Sequence, residues 1–275
     1  NCFFSGGGNN DFLGECVQID LALSSAQFPW FGPYDSTSCL RVGVRNCVIE
    51  NWATGVGSHS SSSSTKHQGV IVSGNTINIS KIGVAPFSWS GAKIVNNRIT
   101  QNTDSEEGYG IWYQPSDNNV ADIQICGNTI FDFNNTVSSE GRGIRFSGNS
   151  DYTNPIRQVI ISDNFLRGFK RHGLGLDYVQ NFVLTNNYVG EVDPGFQSVY
   201  IYGSNGGVCG NNFVAGNIRI NPGGADASFL SVNGNTLAGE IFIDSGVTST
   251  AVVGNVAVNG VNNNSGTSVL VANNV

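Results

Sequence analysis

Between Val159 and Val189 the chain writes one small pattern twice. Val159, Ile161, Asn164 and Leu166 are answered 23 residues later by Phe182, Leu184, Asn187 and Val189. Apolar, skip, apolar, skip two, Asn, skip, apolar is a period-2 strand running into a sharp turn. A register held over so long a step is the mark of a repeat architecture. The Asn position recurs at Asn75, Asn97, Asn128, Asn164, Asn187, Asn211, Asn235, Asn255 and Asn274, and Cys47 holds it in the first copy. Each copy carries a second strand with an inward pair, from Ile111/Tyr113 and Ile144/Phe146 through Leu174/Leu176, Val199/Ile201 and Ile218/Ile220 to Ile241/Ile243. Val56 and Val84 begin two earlier versions. Short strands without helical spacing, stacked in parallel, make an all-β solenoid of about nine coils, a parallel β-helix.

The recurring Asn has two physical uses. It tolerates the left-handed backbone of a sharp corner. Its amide also offers donors and an acceptor, so stacked copies bond along the spiral. Both uses are structural rather than catalytic.

Residues 1–40 do not follow the register and are expected to form a cap and a partial first coil, with 41–275 as the β-helix. The Asn-to-Asn steps run 28, 22, 31, 36, 23, 24, 24, 20 and 19 residues from Cys47 onward. The long steps between Asn97 and Asn164 carry insertions, which on repeat scaffolds gather on the binding face. Ser58 to Ser64 form a shorter, Ser-rich insertion.

Composition narrows the function. Charged residues make up 12%, Gly numbers 36, the net charge is −7 and the pI about 4.8. Such an acidic chain with no basic tail is not a general nucleic-acid binder. No apolar run of about 18 residues is present to span a membrane. The chain opens on Asn1 without a signal peptide and stops in mid-repeat, as a processed or excised piece would. No charged residue follows Asp244, an end suited to a continuing stack, or to a partner such as the other subunits of a homotrimer. Cys47, Cys126 and Cys209 read as buried free thiols, while Cys2, Cys16 and Cys39 have room for one disulfide. No Cys/His spacing suits zinc. No cofactor is expected. Asp104, Glu106, Glu107 and Asp117 offer oxygen donors for Ca2+, but without the spacing of a calcium loop.

Chemistry is expected on one outward face. Counting from the first apolar residue of each second strand, position +1 reads Gly57, Ala85, Trp112, Arg145, Gly175, Tyr200, Arg219, Phe242. Position +3 reads His59, Phe87, Gln114, Ser147, Asp177, Tyr202, Asn221, Asp244. Aromatic faces stack on sugar rings, and Arg and amides bond hydroxyls and carboxylates. Coils about 4.8 Å apart would line these groups into a groove for a linear polymer. The same columns also serve as a stabilising ladder without any ligand. His59, Trp112, Gln114, Arg145, Lys170, Tyr200, Tyr202 and Arg219 are the candidate substrate-binding residues.

The segment Glu107-Gly-Tyr-Gly-Ile-Trp-Tyr113 is repeated as Glu140-Gly-Arg-Gly-Ile-Arg-Phe146, and Lys170-Arg-His-Gly-Leu-Gly-Leu176 shares its register. Glu107, Glu140 and Lys170 are therefore expected at the rim, with Tyr109, Arg142 and His172 stacked nearer the groove. Carboxylates roughly 5 Å apart suit a retaining glycosidase, and a wider pair suits inversion. A lyase would take Tyr109 or His172 as base and Arg142, Arg145 or Lys170 as the cation beside a uronate carboxylate. Six of the thirteen Lys/Arg lie from Arg142 to Arg171, an excess that suits an anionic glycan. Glu107, Glu140, Asp177, His172, Tyr109 and Arg142 are the candidate catalytic residues. A plain exposed Glu140–Lys170 ion pair is the structural alternative.

Repeats such as VIVSGNTI, IQICGNTI, VIISDNFL and FVLTNNYV, alternating with GIWY, GIRF and GLGL, resemble right-handed parallel β-helices of the pectate-lyase-like superfamily over roughly residues 40–275. GSH…KHQGVIVSGNTI, APFSWSGAKIVNN and GIWYQPSDN are most similar to phage tailspike polysaccharide depolymerases, which are trimers. The resemblance implies an extracellular or virion-borne enzyme that cleaves an acidic surface glycan by hydrolysis or β-elimination. The alternative is a non-catalytic glycan-binding or structural β-helix. No catalytic residue carries over from the family, and pectate-lyase signatures are absent.

Overall fold

A computed structural model of the chain describes residues 2–7, 14–19, 38–58, 66–103, 107–114, 119–134, 140–190, 192–223, 228–266 and 268–275. From Lys93 onward each winding has three short strands, and in the two windings before it the second and third run together as Val48–Gly57 and Thr76–Ala85. In one winding these are Lys93–Val95, Arg98–Gln101 and Gly108–Tyr113. First strands stack on first strands in a ten-stranded sheet running from Gly43–Arg45 to Val269–Ala272. Second and third strands stack likewise and join at their shared corner into an eighteen-stranded sheet. The pairings between strands of successive windings are parallel throughout the two large sheets, so the chain is a parallel β-helix. Ten first strands are separated by nine windings of the spiral.

At the N-terminal end Phe3–Ser5 pairs with Val48 to Glu50, and Glu15–Gln18 pairs with Thr54, Val56 and Gly57. These are the second and third strands of a further winding. Residues 20–37 of the expected cap lie outside the described residues.

Inward side chains fill one continuous core, with Ile49, Ile77, Ile99 and Ile130 stacked on one face and Ile111, Ile144, Leu174 and Val199 on another. Tyr113 and Phe146 stack inside it with ring centroids 5.0 Å apart and planes 6° off parallel. Emptying one such site costs about 3–5 kcal/mol.

The asparagine column runs along the corner between first and second strands. Asn128 Oδ1 accepts from the backbone N–H of Asn97 and from its Nδ2, both at 3.0 Å, and Asn128 Nδ2 donates to the Ile94 carbonyl at 2.8 Å. The same bonds link Asn164, Asn187, Asn235, Asn255 and Asn274, so these buried amides are satisfied.

Three expectations need correction. Asn212, not Asn211, holds the sixth asparagine position, counted from Asn75: Asn187 donates to Asn212 Oδ1, and Asn212 to Asn235 Oδ1. Asn211 is instead left-handed, with φ 56°. The second correction follows from the first, because the ladder asparagines do not adopt the left-handed conformation themselves. The residue just before each one does, as at Asn96 (φ 55°), Asp163 (φ 58°), Asn186 (φ 56°) and Gly234 (φ 63°). Third, Cys126 is only partly buried, because it stacks with Ser162 on the outward side of the first strand, whereas Cys209 lies in the core.

Candidate functional site

The corner between second and third strands decides what reaches the outer surface. Regular alternation from Ile111 would turn Tyr109 inward. Gly110 prevents this, because a Cβ there would collide with Ile130 Cγ2 in the core. The glycine occupies the inward place, two inward residues follow one another, and the residue before it faces out. Gly143 and Gly173 repeat the device beside Phe169 and Val189. Tyr109, Arg142 and His172 are thereby set outside the spiral on consecutive windings. Tyr109 pairs with Arg142 in register, and Gly143 donates to the His172 carbonyl at 3.0 Å. All three are nonetheless largely shielded, at 5%, 4% and 6% exposure.

Position +1 also keeps its expected register. Trp112 lies beside Arg145, Arg145 beside Gly175, Gly175 beside Tyr200, and Tyr200 beside Arg219. Tyr109 and Trp112 stack at 4.6 Å and form, with Ile82 and Ala85, an apolar cluster separate from the core. Trp112 donates to Ser147 Oγ at 3.1 Å. His172 stacks on Tyr200 at 5.0 Å, and Tyr200 lies 5.7 Å from Tyr202. A Cβ added to Gly175 would meet nothing within 4 Å, so the floor drops into a notch between Arg145 and Tyr200.

Glu140 is the hub of the charged groups. It accepts from the Tyr109 hydroxyl at 2.9 Å and pairs with Arg142 at 2.9 Å and Arg171 at 2.5 Å; Arg145 approaches to 3.9 Å. Arg145 also binds Asp177 at 2.8 Å. The Nε atoms of Arg142, Arg145 and Arg171 are buried without a hydrogen-bond acceptor among the described residues. Orphaned buried donors of one sign mark a place for an anion.

Burial sets the protonation of the cluster. His172 is pushed down to about 4 by burial, with the Arg171 and Arg145 charges adding to the effect and its bond to Gln197 opposing it. It is neutral at pH 7. Its Nδ1 lies 2.7 Å from the Gln197 carbonyl, which can only accept, so the proton is on Nδ1 and Nε2 carries a lone pair. Burial, and then the Glu140 charge, raise the Tyr109 phenol, which keeps its proton. Burial raises Asp177 too, against the pull of Arg145.

Other expected members stand further off. Glu107 precedes Gly108 as Glu140 precedes Gly141, in register, and its charge acts on Tyr109. Gln114 closes the trough edge, bonding the Pro86 carbonyl through its backbone. Lys170 turns to Asp193 at 2.5 Å rather than to Glu140. The alternative of a plain Glu140–Lys170 pair is therefore not met, and Glu140 pairs with Arg171 instead. Arg219 is held by Asp244 at 2.8 Å, beyond Tyr200. His59 lies outside the described residues. The sequence reading missed Arg171, Gln197, and Phe196, whose ring meets His172 edge-on at 5.8 Å. The run Lys170-Arg171-His172 was the available signal for Arg171.

Residues 51–274 match the family model described as "Periplasmic copper-binding protein (NosD)". The chain belongs to the NosD family. Copper seeks imidazole and thiolate donors converging on one point. Among the described residues of this NosD chain no three His, Cys, Asp or Glu side chains converge in that way, and the donor set does not fit a copper centre. No curated protein sequence matches the chain. Among solved structures it is similar to the A-module of the Azotobacter vinelandii mannuronan C-5 epimerase AlgE6, at 14% identity and TM-score 0.54, over 89% of this chain and 66% of that one. It is also similar to the Streptococcus pneumoniae surface protein and adhesin PfbA, at 14% identity and TM-score 0.49, over 95% of this chain and 55% of that one. An alginate lyase from Paenibacillus sp. str. FPU-7 is 12% identical with TM-score 0.38, over 94% and 98%. The chain thus spans less than two thirds of the first two. The epimerase likeness speaks for the fold of the NosD chain alone.

Proposed function

We propose that this NosD-family β-helix acts outside the cytoplasm on an acidic, uronate-containing polysaccharide, which it cleaves by β-elimination in the trough along its third strands. One observation carries the reading: Tyr109, Arg142 and His172 are outward neighbours on consecutive windings, and His172 is neutral with its Nε2 lone pair available. Arg142 and Arg145 neutralise the uronate carboxylate and thereby acidify the adjacent C5–H. His172 Nε2 takes that proton. The C5–H electron pair forms the C4–C5 double bond as the C4–O bond breaks, and the Tyr109 hydroxyl protonates the departing oxygen. Glu140 holds Tyr109 and Arg142 in place. Trp112, Tyr200 and Tyr202 offer stacking surfaces for neighbouring sugars.

Hydrolysis is less well supported, because it asks for one protonated carboxyl beside a second carboxylate. Glu140 is committed to Arg142 and Arg171, and Asp177 to Arg145. The test is incubation with a panel of acidic and neutral polysaccharides and mass analysis of the products. Elimination gives unsaturated uronate ends, one water lighter than hydrolysis products. Binding without any product would make the trough a glycan-recognition surface.

A further inference from the structure

The ladder corner changes character at its N-terminal end. From Asn75 onward each winding places an asparagine there, and the asparagine touches the next one along the stack. The first two windings place cysteines instead. Thr76 donates to the Cys47 carbonyl at 2.9 Å, and Val48 donates to the Cys2 carbonyl at 2.9 Å. Phe3 pairs with Val48 as Val48 pairs with Thr76. Cys2 therefore stands over Cys47 as Cys47 stands over Asn75.

Parallel neighbours in a sheet are about 4.8 Å apart, inside the Cα separation that a disulfide spans. Cys47 is 8% exposed and Cys2 is exposed. Both line one open cavity of about 610 Å³, together with Phe3, Asn46, Val48, Gly74 and Thr76, so a small oxidant has access to the pair. Cys16 and Cys39 pack against the core from other positions, Cys16 on a third strand.

We infer that Cys2 and Cys47 form a disulfide site that staples the N-terminal winding to the body of the β-helix under oxidising conditions. The oxidant is a disulfide of the oxidised-glutathione class. The Cys2 thiolate attacks it and releases one thiol, forming a mixed disulfide. The Cys47 thiolate then attacks the Cys2 sulfur and releases the second thiol. One external disulfide is reduced to two thiols, and one internal disulfide forms. The bond closes 45 residues (47 − 2) into a loop, which restricts the unfolded chain. It also ties Phe3–Ser5 to the winding it pairs with.

The experiment treats the whole chain with oxidised glutathione, then counts thiols in denaturant and maps peptides without reduction. The expected result is a fall from six free thiols to four (6 − 2), with the Cys2 and Cys47 peptides joined. The melting temperature should rise by several degrees on oxidation, and the rise should be absent in Cys2→Ser. Cys2 is exposed, so this variant keeps the test open if Cys47→Ser fails to fold. Six remaining thiols, glutathione adducts alone, or Cys47 joined to Cys16 or Cys39 would overturn the inference.

Discussion

The Tyr109 hydroxyl reaches across one winding to Glu140 Oε2 at 2.9 Å, while Arg142, directly beside Tyr109 in the ladder, holds the same carboxylate oxygen at 2.9 Å. A proton donor and a carboxylate-binding cation are thus fixed by one glutamate. Tyr109→Phe removes the donor but keeps the ring on Trp112. Activity on the polysaccharide should fall about 100-fold or more. Stability should fall by only about 1 kcal/mol. Steady-state kinetics and urea unfolding of the same variant check both halves.

His172 links stability to pH. Its folded value, about 4, lies below the ordinary 6.5. Between these values the unfolded chain binds the proton and the folded chain does not, so folding weakens as pH falls from about 6.5 toward 4. That interval corresponds to a loss on the order of 3 kcal/mol from this one group. Asp177, raised by burial, acts in the opposite sense from its ordinary 3.8 upward. His172→Gln should flatten the fall in melting temperature over this window. An unchanged slope would contradict the burial of an uncharged imidazole.

Asn211 and Asn212 separate two jobs that one residue type performs. Asn211 supplies the left-handed turn, and Gly is at home there. Asn211→Gly should shift stability by no more than about 0.5 kcal/mol. Asn212→Ala strips partners from the Asn187 backbone N–H and the Leu184 carbonyl inside the stack. It should cost about 2–4 kcal/mol, from at least two buried groups left unpaired. Chemical denaturation of the two variants measures the contrast.

The fold was legible because a parallel spiral repeats its interior winding by winding, and the interior prints itself on the sequence. The same holds for the register of Trp112, Arg145, Gly175 and Tyr200. The duplicated Glu-Gly-x-Gly fixes it, because the second glycine is demanded by the core at the corner. The assignment at Asn211 slipped because two asparagines stand side by side, and strand spacing alone does not say which turns and which ladders. Arg171 was missed for a different reason. Register locates backbone, whereas a guanidinium on a long stem swings past its own position to the carboxylate of the winding before. His172 was legible as a candidate, but its neutrality was not, since that comes from burial against Tyr200 and Phe196.

Gly175 tests the trough without touching its chemistry. A side chain there enters open space, so Gly175→Leu should leave the melting temperature within about a degree of the parent. The leucine would fill the notch between Arg145 and Tyr200. Polysaccharide affinity, read by titration calorimetry, should fall at least tenfold.

The most direct measurement is mass analysis of a uronate polysaccharide after incubation with the parent chain and, in parallel, with His172→Gln. Unsaturated oligouronides from the parent, and none from a folded His172→Gln that still binds the polymer, are the expected result. Products carrying an added water, or equal turnover by both proteins, would contradict a trough in which His172 removes the proton.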